Sequence, residues 1–84
     1  MAFKLRIITP ERLVFEGEAE YLSVPGVEGE FGVLSQHAAT LAGLKTDGVL
    51  TYRVKGQDHK VTITGGFVEI QKNTVSVLAD AVTA

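Results

Sequence analysis

Cysteine is absent from the 84-residue chain, which removes disulfides, thiolate metal sites and a cysteine nucleophile together. That absence fits a reducing compartment without requiring one. Excess positive charge is also missing. A net charge of −2 and a pI near 5.6 give no electrostatic case for nucleic acid binding. Apolar runs never exceed a few residues, far short of the roughly 20 that span a bilayer. The opening Met1-Ala2-Phe3-Lys4-Leu5-Arg6 carries charges where a signal peptide needs its apolar stretch, so no export signal is expected. The composition therefore points to a water-soluble chain without direct membrane insertion. Eighty-four residues leave room for one domain, residues 1–84, burying roughly 60–65% of its unfolded surface.

Glycine, by contrast, is plentiful and concentrated. Three of the nine glycines and one of the two prolines fall between Val24 and His37. Gly26, Gly29 and Gly32 recur every third residue, which disfavours helix, since each mid-helix glycine costs up to ~1 kcal/mol relative to alanine. A strand passes through such a run only with bulges or bends. The expected path is a tight turn at Pro25-Gly26, a short bent strand, and an exposed loop ending at His37.

Alternation governs the rest. Phe3, Leu5 and Ile7 alternate with Lys4 and Arg6 as in a half-buried strand, and Thr9-Pro10-Glu11 turns the chain. From Leu13 to Val24 the pattern is mixed. Glu16, Glu18 and Glu20 mark a wet face, a solvated surface or an acidic binding strip, while Phe15, Ala19 and Tyr21 face a core if Gly17 bends. Residues Ala38 to Leu44 alone have helical propensity, limited by Gly43. Thr46-Asp47-Gly48 signals a turn. Leu50, Tyr52 and Val54, then Val61 and Ile63 after a turn at Gly56-Gln57-Asp58, read as a hairpin. Val68 and Ile70, a turn at Lys72-Asn73, and Val75, Val77 and Ala79 complete the series. The expected fold is all-β: a flattened barrel or β-sandwich of about ten short strands in two sheets.

No catalytic constellation emerges. His37 and His59 are the only imidazoles, and nothing with ligand spacing joins them, so no metal is expected. His59 reads as a solvated turn tip and His37 as a loop residue. Ser35 lacks the acid and oxyanion donors of a nucleophile. The run Gly26-Val27-Glu28-Gly29-Glu30-Phe31-Gly32 imitates a phosphate loop, but Glu28 and Glu30 would repel phosphate, and no Lys-Ser/Thr pair follows. The residues describe a binding or structural module without an active site.

Particular residues carry more. Val24-Pro25-Gly26 through Gly29-Glu30-Phe31-Gly32-Val33-Leu34, then His37-Ala38, resembles the N-terminal domain of the epsilon subunit of F-type ATP synthases (delta in mitochondria). Gly65-Gly66-Phe67-Val68-Glu69-Ile70 with Val75-Ser76-Val77-Leu78-Ala79-Asp80 is similar to that family's second signature. Phe3-Lys4-Leu5, Thr9-Pro10-Glu11 and Phe15-Glu16-Gly17 agree as well, so the likeness covers nearly the whole chain. One departure is Ala39 where the family often has proline, which makes the loop after His37 less rigid.

The resemblance implies a ten-stranded β-sandwich at the foot of a rotating central stalk, a rotor subunit without catalysis of its own. It implies two partners, the gamma subunit and the membrane c-ring, with rotation driven by proton or sodium flow coupled to ATP synthesis. It puts Glu30 toward the c-ring and His37 near both the ring and gamma; on the reading of the residues, Glu28 and Phe31 join Glu30 toward the c-ring, and Ala38 and Leu41 join His37 in an apolar patch toward gamma. For Phe31, Val33, Leu34, Ala38 and Leu41, core burial is the competing explanation. The implied location is the cytoplasmic face of a bacterial plasma membrane, or the equivalent face in an organelle, as a peripheral subunit. Family members usually continue into a C-terminal helical hairpin that in some bacteria binds ATP and brakes hydrolysis. Residues up to Ala84 stop short of it, as in a truncated or a naturally short subunit, so no cofactor, ATP site or helical brake is expected here. The alternative is a free-standing β-sandwich adaptor or ligand-binding module.

Overall fold

The computed structural model describes residues 2–35 and 38–83. Ten strands make up the fold: β1 (Phe3–Ile8), β2 (Leu13–Ala19), β3 (Tyr21–Gly26), β4 (Gly29–Val33), β5 (Thr40–Gly43), β6 (Thr46–Val54), β7 (Gln57–Thr64), β8 (Gly66–Gln71), β9 (Thr74–Ala79) and β10 (Val82–Thr83). They form two five-stranded sheets, ordered β2-β1-β9-β8-β5 and β10-β7-β6-β3-β4. This is the two-sheet, all-β arrangement expected from the alternation. All pairings are antiparallel except β1 with β9.

Each strand turns one parity inward. Phe3, Leu5 and Ile7 from β1, Val68 and Ile70 from β8, and Val75 and Val77 from β9 meet Leu22, Val24, Leu50 and Ile63 from the other sheet, all at most 2% exposed. Fully burying one such side chain is worth about 1.5–3 kcal/mol. The wet strip resolves as a solvated face: Glu16 lies across from Arg6 and pairs with Arg6 Nε at 3.4 Å and Lys4 Nζ at 3.7 Å. Glu20 accepts a hydrogen bond from the Gly56 amide at 3.2 Å.

Several local expectations need correction. Leu13 to Val24 is two strands in two sheets, broken at Glu20. Inward parity resets there, from Ala19 to Leu22, leaving Tyr21 half-buried rather than in the core. Ala38 to Leu44 contains the edge strand β5, because pairing with β8 outweighs its weak helical propensity. Thr46-Asp47-Gly48 is a β-bulge inside β6, with Asp47 in the left-handed region (φ 64°), rather than a chain reversal. The reversal after β6 comes at Lys55-Gly56, where both residues have positive φ (52° and 78°), leaving Gln57 and Asp58 in β7. There Arg53 Nε donates to Asp58 Oδ1 at 2.8 Å. That bond holds the Asp58 carboxyl below its ordinary range and raises the Arg53 guanidinium above its own. His59 is in β7, stacked on Tyr52 with ring centroids 5.2 Å apart, not at a turn tip. Tyr52 in turn meets Phe15 at 4.8 Å, and partial burial raises its phenol.

Gly66 opens β8 at φ 108°, and a Cβ there would lie 2.8 Å from the Ala79 Cα. Both the backbone conformation and the neighbouring strand thus require glycine. Gly66→Ala is expected to cost at least about 2 kcal/mol, measured as a fall in the urea midpoint with the slope unchanged.

Candidate functional site

The glycine-rich stretch builds a rim at one end of the sandwich. β3 runs straight through Pro25 and Gly26, which pair with Glu30 and Gly29. The reversal is therefore at Val27-Glu28, two residues later than Pro25-Gly26 suggested. Pro25 fits inside the strand because nothing there requires its missing N–H, and its carbonyl is used instead: it accepts from the Lys45 amide at 2.8 Å. The turn is tied again where the Val27 amide donates to the Gly43 carbonyl at 2.9 Å. Lys45 and Leu44 also reach the β8 side, through Gly65 N to Lys45 O at 3.1 Å and Leu44 N to Gly66 O at 2.9 Å. The rim is thereby stitched to both sheets at one corner. Gly48 lets this corner close, since a Cβ there would lie 2.7 Å from Pro25 Cγ.

Between the β3–β4 tip and β5 lies an open groove of 390 Å³ whose wall includes Val27, Glu28, Glu30, Phe31 and Leu41. Val27 and Leu41 are 60% and 71% exposed. Glu28 and Glu30 are exposed, and among the described residues neither makes an ion pair. Phe31 does two things at once: it packs against the core on one side and lines the groove on the other. The structure thus brings Glu28, Glu30, Phe31 and Leu41 into one site. Ala38 is exposed, as is Leu34 at 62%, whereas Val33 is core at 0%. For Leu34, Ala38 and Leu41 the burial explanation fails. For Val33 it holds. His37 lies outside the described residues.

Chemically, the rim offers carboxylates beside apolar surface on a fixed backbone, which suits docking. Among the described residues, no three His, Cys, Asp or Glu side chains gather as a metal site. No helix there is long and apolar enough to cross a membrane. Missing from the sequence reading was Val27, an exposed apolar side chain at the tip. Its position between Gly26 and Glu28 was the available signal, because a turn residue cannot reach the core.

The geometry separates two roles by energy. Phe31→Ala should destabilise by about 1–3 kcal/mol, a half-buried version of an aromatic deletion. Glu28→Gln and Glu30→Gln should each shift stability by less than about 0.5 kcal/mol. Chemical denaturation of the three variants checks this, and a large loss from either glutamate variant would mean that its carboxylate supports the fold.

Comparison with known proteins adds the family. The family model described as ATP synthase, Delta/Epsilon chain, beta-sandwich domain matches residues 2–84. The ATP synthase epsilon chain of Afipia carboxidovorans is 39% identical over 82 residues, 98% of this chain and 60% of that relative. The epsilon chain of Carboxydothermus hydrogenoformans is 44% identical over 78 residues, 93% of this chain and 58% of its own length. The chain therefore spans about three-fifths of the length of these relatives. Among solved structures, a chain of the Euglena gracilis mitochondrial ATP synthase, a structure described as OSCP/F1/c-ring, superposes with a TM-score of 0.90 at 21% identity. The match covers 98% of this chain and 52% of that one, and at such identity it establishes the fold. With the family model matching almost from end to end, this chain belongs to the ATP synthase delta/epsilon family, as a β-sandwich domain of that family.

Proposed function

We propose that residues 1–84 form one rotor domain, a non-catalytic part of the central stalk of an F-type ATP synthase that links the gamma subunit to the c-ring. The observation that carries this is the family match over residues 2–84. The rim is what gives it a physical basis. Among the described residues Glu28 and Glu30 make no ion pair, and they stand on a hairpin tip held to both sheets by the Val27–Gly43 and Lys45–Pro25 hydrogen bonds. Such a tip does not swing, so a lateral load on its carboxylates passes into the whole sandwich.

Glu28, Glu30, Phe31 and His37 are assigned to the c-ring, and His37, Ala38 and Leu41 to gamma. Exposed ion pairs are each worth only about 0–1 kcal/mol. Torque therefore has to be held by a broad contact, above about 1,000 Å² in total, in which the carboxylates set register. The domain acts at the membrane surface as a peripheral subunit, on the cytoplasmic face in a bacterium or the equivalent face in an organelle, and needs no cofactor. Coupling of ion flow to ATP synthesis belongs to the assembled complex.

The test is made in the assembled enzyme. Glu30→Lys is expected to lower ATP synthesis in inverted membrane vesicles at least twofold while ATP hydrolysis by the detached catalytic part is retained. The parent subunit should copurify with gamma, and residues 1–84 should bind no ATP at sub-millimolar concentration. Failure to copurify would replace this reading with that of a free-standing adaptor, and saturable ATP binding would reject the absence of a nucleotide site.

A further inference from the structure

The two sheets end in the edge strands β2 and β5, and β10 and β4. Short length, bulges, charged pairs and cover keep an edge from pairing with another chain. β10 is two residues long. β2 has a register shift opposite Ile7 and Ile8, and its Glu16 pairs with Lys4 and Arg6. β5 lends the Gly43 carbonyl to the Val27 amide. β4 is the least guarded. It pairs with β3 over its whole length without a shift, and it holds no lysine and no proline.

Which groups this edge offers follows from the register. Pro25 turns its carbonyl away from β4, toward the Lys45 amide, and so makes no ladder bond to Glu30 opposite. In an antiparallel ladder both members of such a pair point their N–H and C=O groups away from each other. Glu30, and Gly32 two residues on, therefore direct their backbone groups out of the sheet edge, and among the described residues no hydrogen bond reaches them. Val33 is fully buried, so Phe31 shares its inward parity while the Glu30 side chain lies on the outer face.

We infer that in the free subunit β4 pairs antiparallel with β4 of a second copy, about a two-fold axis at Phe31. This register uses every free group. Glu30 of each copy exchanges both backbone hydrogen bonds with Gly32 of the other, two bonds at each pair and, by symmetry, two such pairs. Centring on Glu30 instead would set two carboxylates side by side. Here each Glu30 lies across from a glycine, and the two carboxylates are diagonal neighbours, roughly 7–8 Å apart. The Tyr21 hydroxyl stands over Gly32, 2.9 Å from where a Cβ would lie, and is placed to donate to the incoming carboxylate. Arg53 lies over that Tyr21 ring, 5.7 Å from its centroid, and adds positive charge nearby. On the inner side Phe31 meets Phe31 of the second copy, and the two grooves open onto one another, which covers Val27 and Leu41. The contact falls below the ~1,200 Å² of stable interfaces, so the pair is weak and reversible. The inference goes beyond the rotor reading and does not depend on it: pairing covers Glu30, so a paired subunit has no rim to offer the ring.

The test uses the complete encoded subunit, free of the other subunits. Sedimentation equilibrium up to millimolar concentration is expected to show a reversible monomer–dimer equilibrium, with amide exchange at Glu30 and Gly32 slowing as concentration rises. Glu30→Pro removes an outward N–H that β3 does not use and should weaken dimerisation at least tenfold. Leu41→Ser should weaken it about threefold, while Leu13→Gln, on the β2 edge, should pair like the parent. Should Glu30→Pro lower the melting temperature by more than about 2 °C, the exchange measurement on the parent decides alone. A parent that stays monomeric throughout overturns the inference and leaves the rotor reading standing. Dimers formed without added protection at Glu30 and Gly32 would use another surface and overturn it too. Protection that does not vary with concentration would give the edge to the subunit's own chain. Protection gained only on adding F1 stripped of this subunit would give it to a subunit of F1. Either of those results also overturns the inference.

Discussion

A chain whose described residues contain no helix has one way to bury its apolar side chains: press two sheets together and keep every strand in phase with the space between them. The difficulty lies at the crossings. Each passage from one sheet to the other must set which parity points inward, because a one-residue slip would turn a whole strand inside out. At Glu20 the chain solves this with one residue outside any strand, and the buried positions jump from Ala19 to Leu22. At Leu44-Lys45 the solution is a corner, where two consecutive residues hydrogen-bond alternately to the β3 side and the β8 side. Gly65 and Gly66, both at positive φ, bring the chain back across at the same corner.

That corner also determines the character of the candidate site. A two-residue hairpin tip ordinarily frays, since few contacts hold it. Here the Val27 amide and the Pro25 carbonyl are engaged by the chain entering and leaving Leu44, so the tip takes its stiffness from both sheets. The acidic side chains themselves remain in solvent. A rigid backbone with solvated charges loses little entropy on docking, which is the condition under which weak surface pairs still specify register.

Much of this was legible in the residues. β1, the β6–β7 hairpin and the β8–β9 hairpin follow from strict alternation of Leu, Ile, Val and Tyr with polar neighbours, a signal as local as the structure it encodes. Where the alternation breaks, local reading fails. Asp47-Gly48 is compatible with a turn or a bulge, and only the extended pairing with β7 selects the bulge. Ala38 to Leu44 carries too little pattern to choose a strand, and β5 exists because β8 offers it an edge. Pro25-Gly26 looks like a turn until Lys45, twenty residues away in the chain, makes use of the proline carbonyl. For the site, Glu28 and Glu30 were identifiable as exposed acids in a glycine run. The adjacency of Leu41 was not, because the contact between β5 and the tip is tertiary.

The same pleat decides which side chains the outer face carries. The register that buries Val68, Val77 and Ile7 at 0% exposure necessarily sends Phe67, Leu78 and Ile8 to the opposite face, and nothing in the sandwich requires those three to be apolar. Their neighbours show the alternative, since Glu69, Ser76 and Arg6 occupy equivalent outward positions one row away. Stability of the isolated fold therefore accounts for the inward residues and leaves the outward row without a cause of its own.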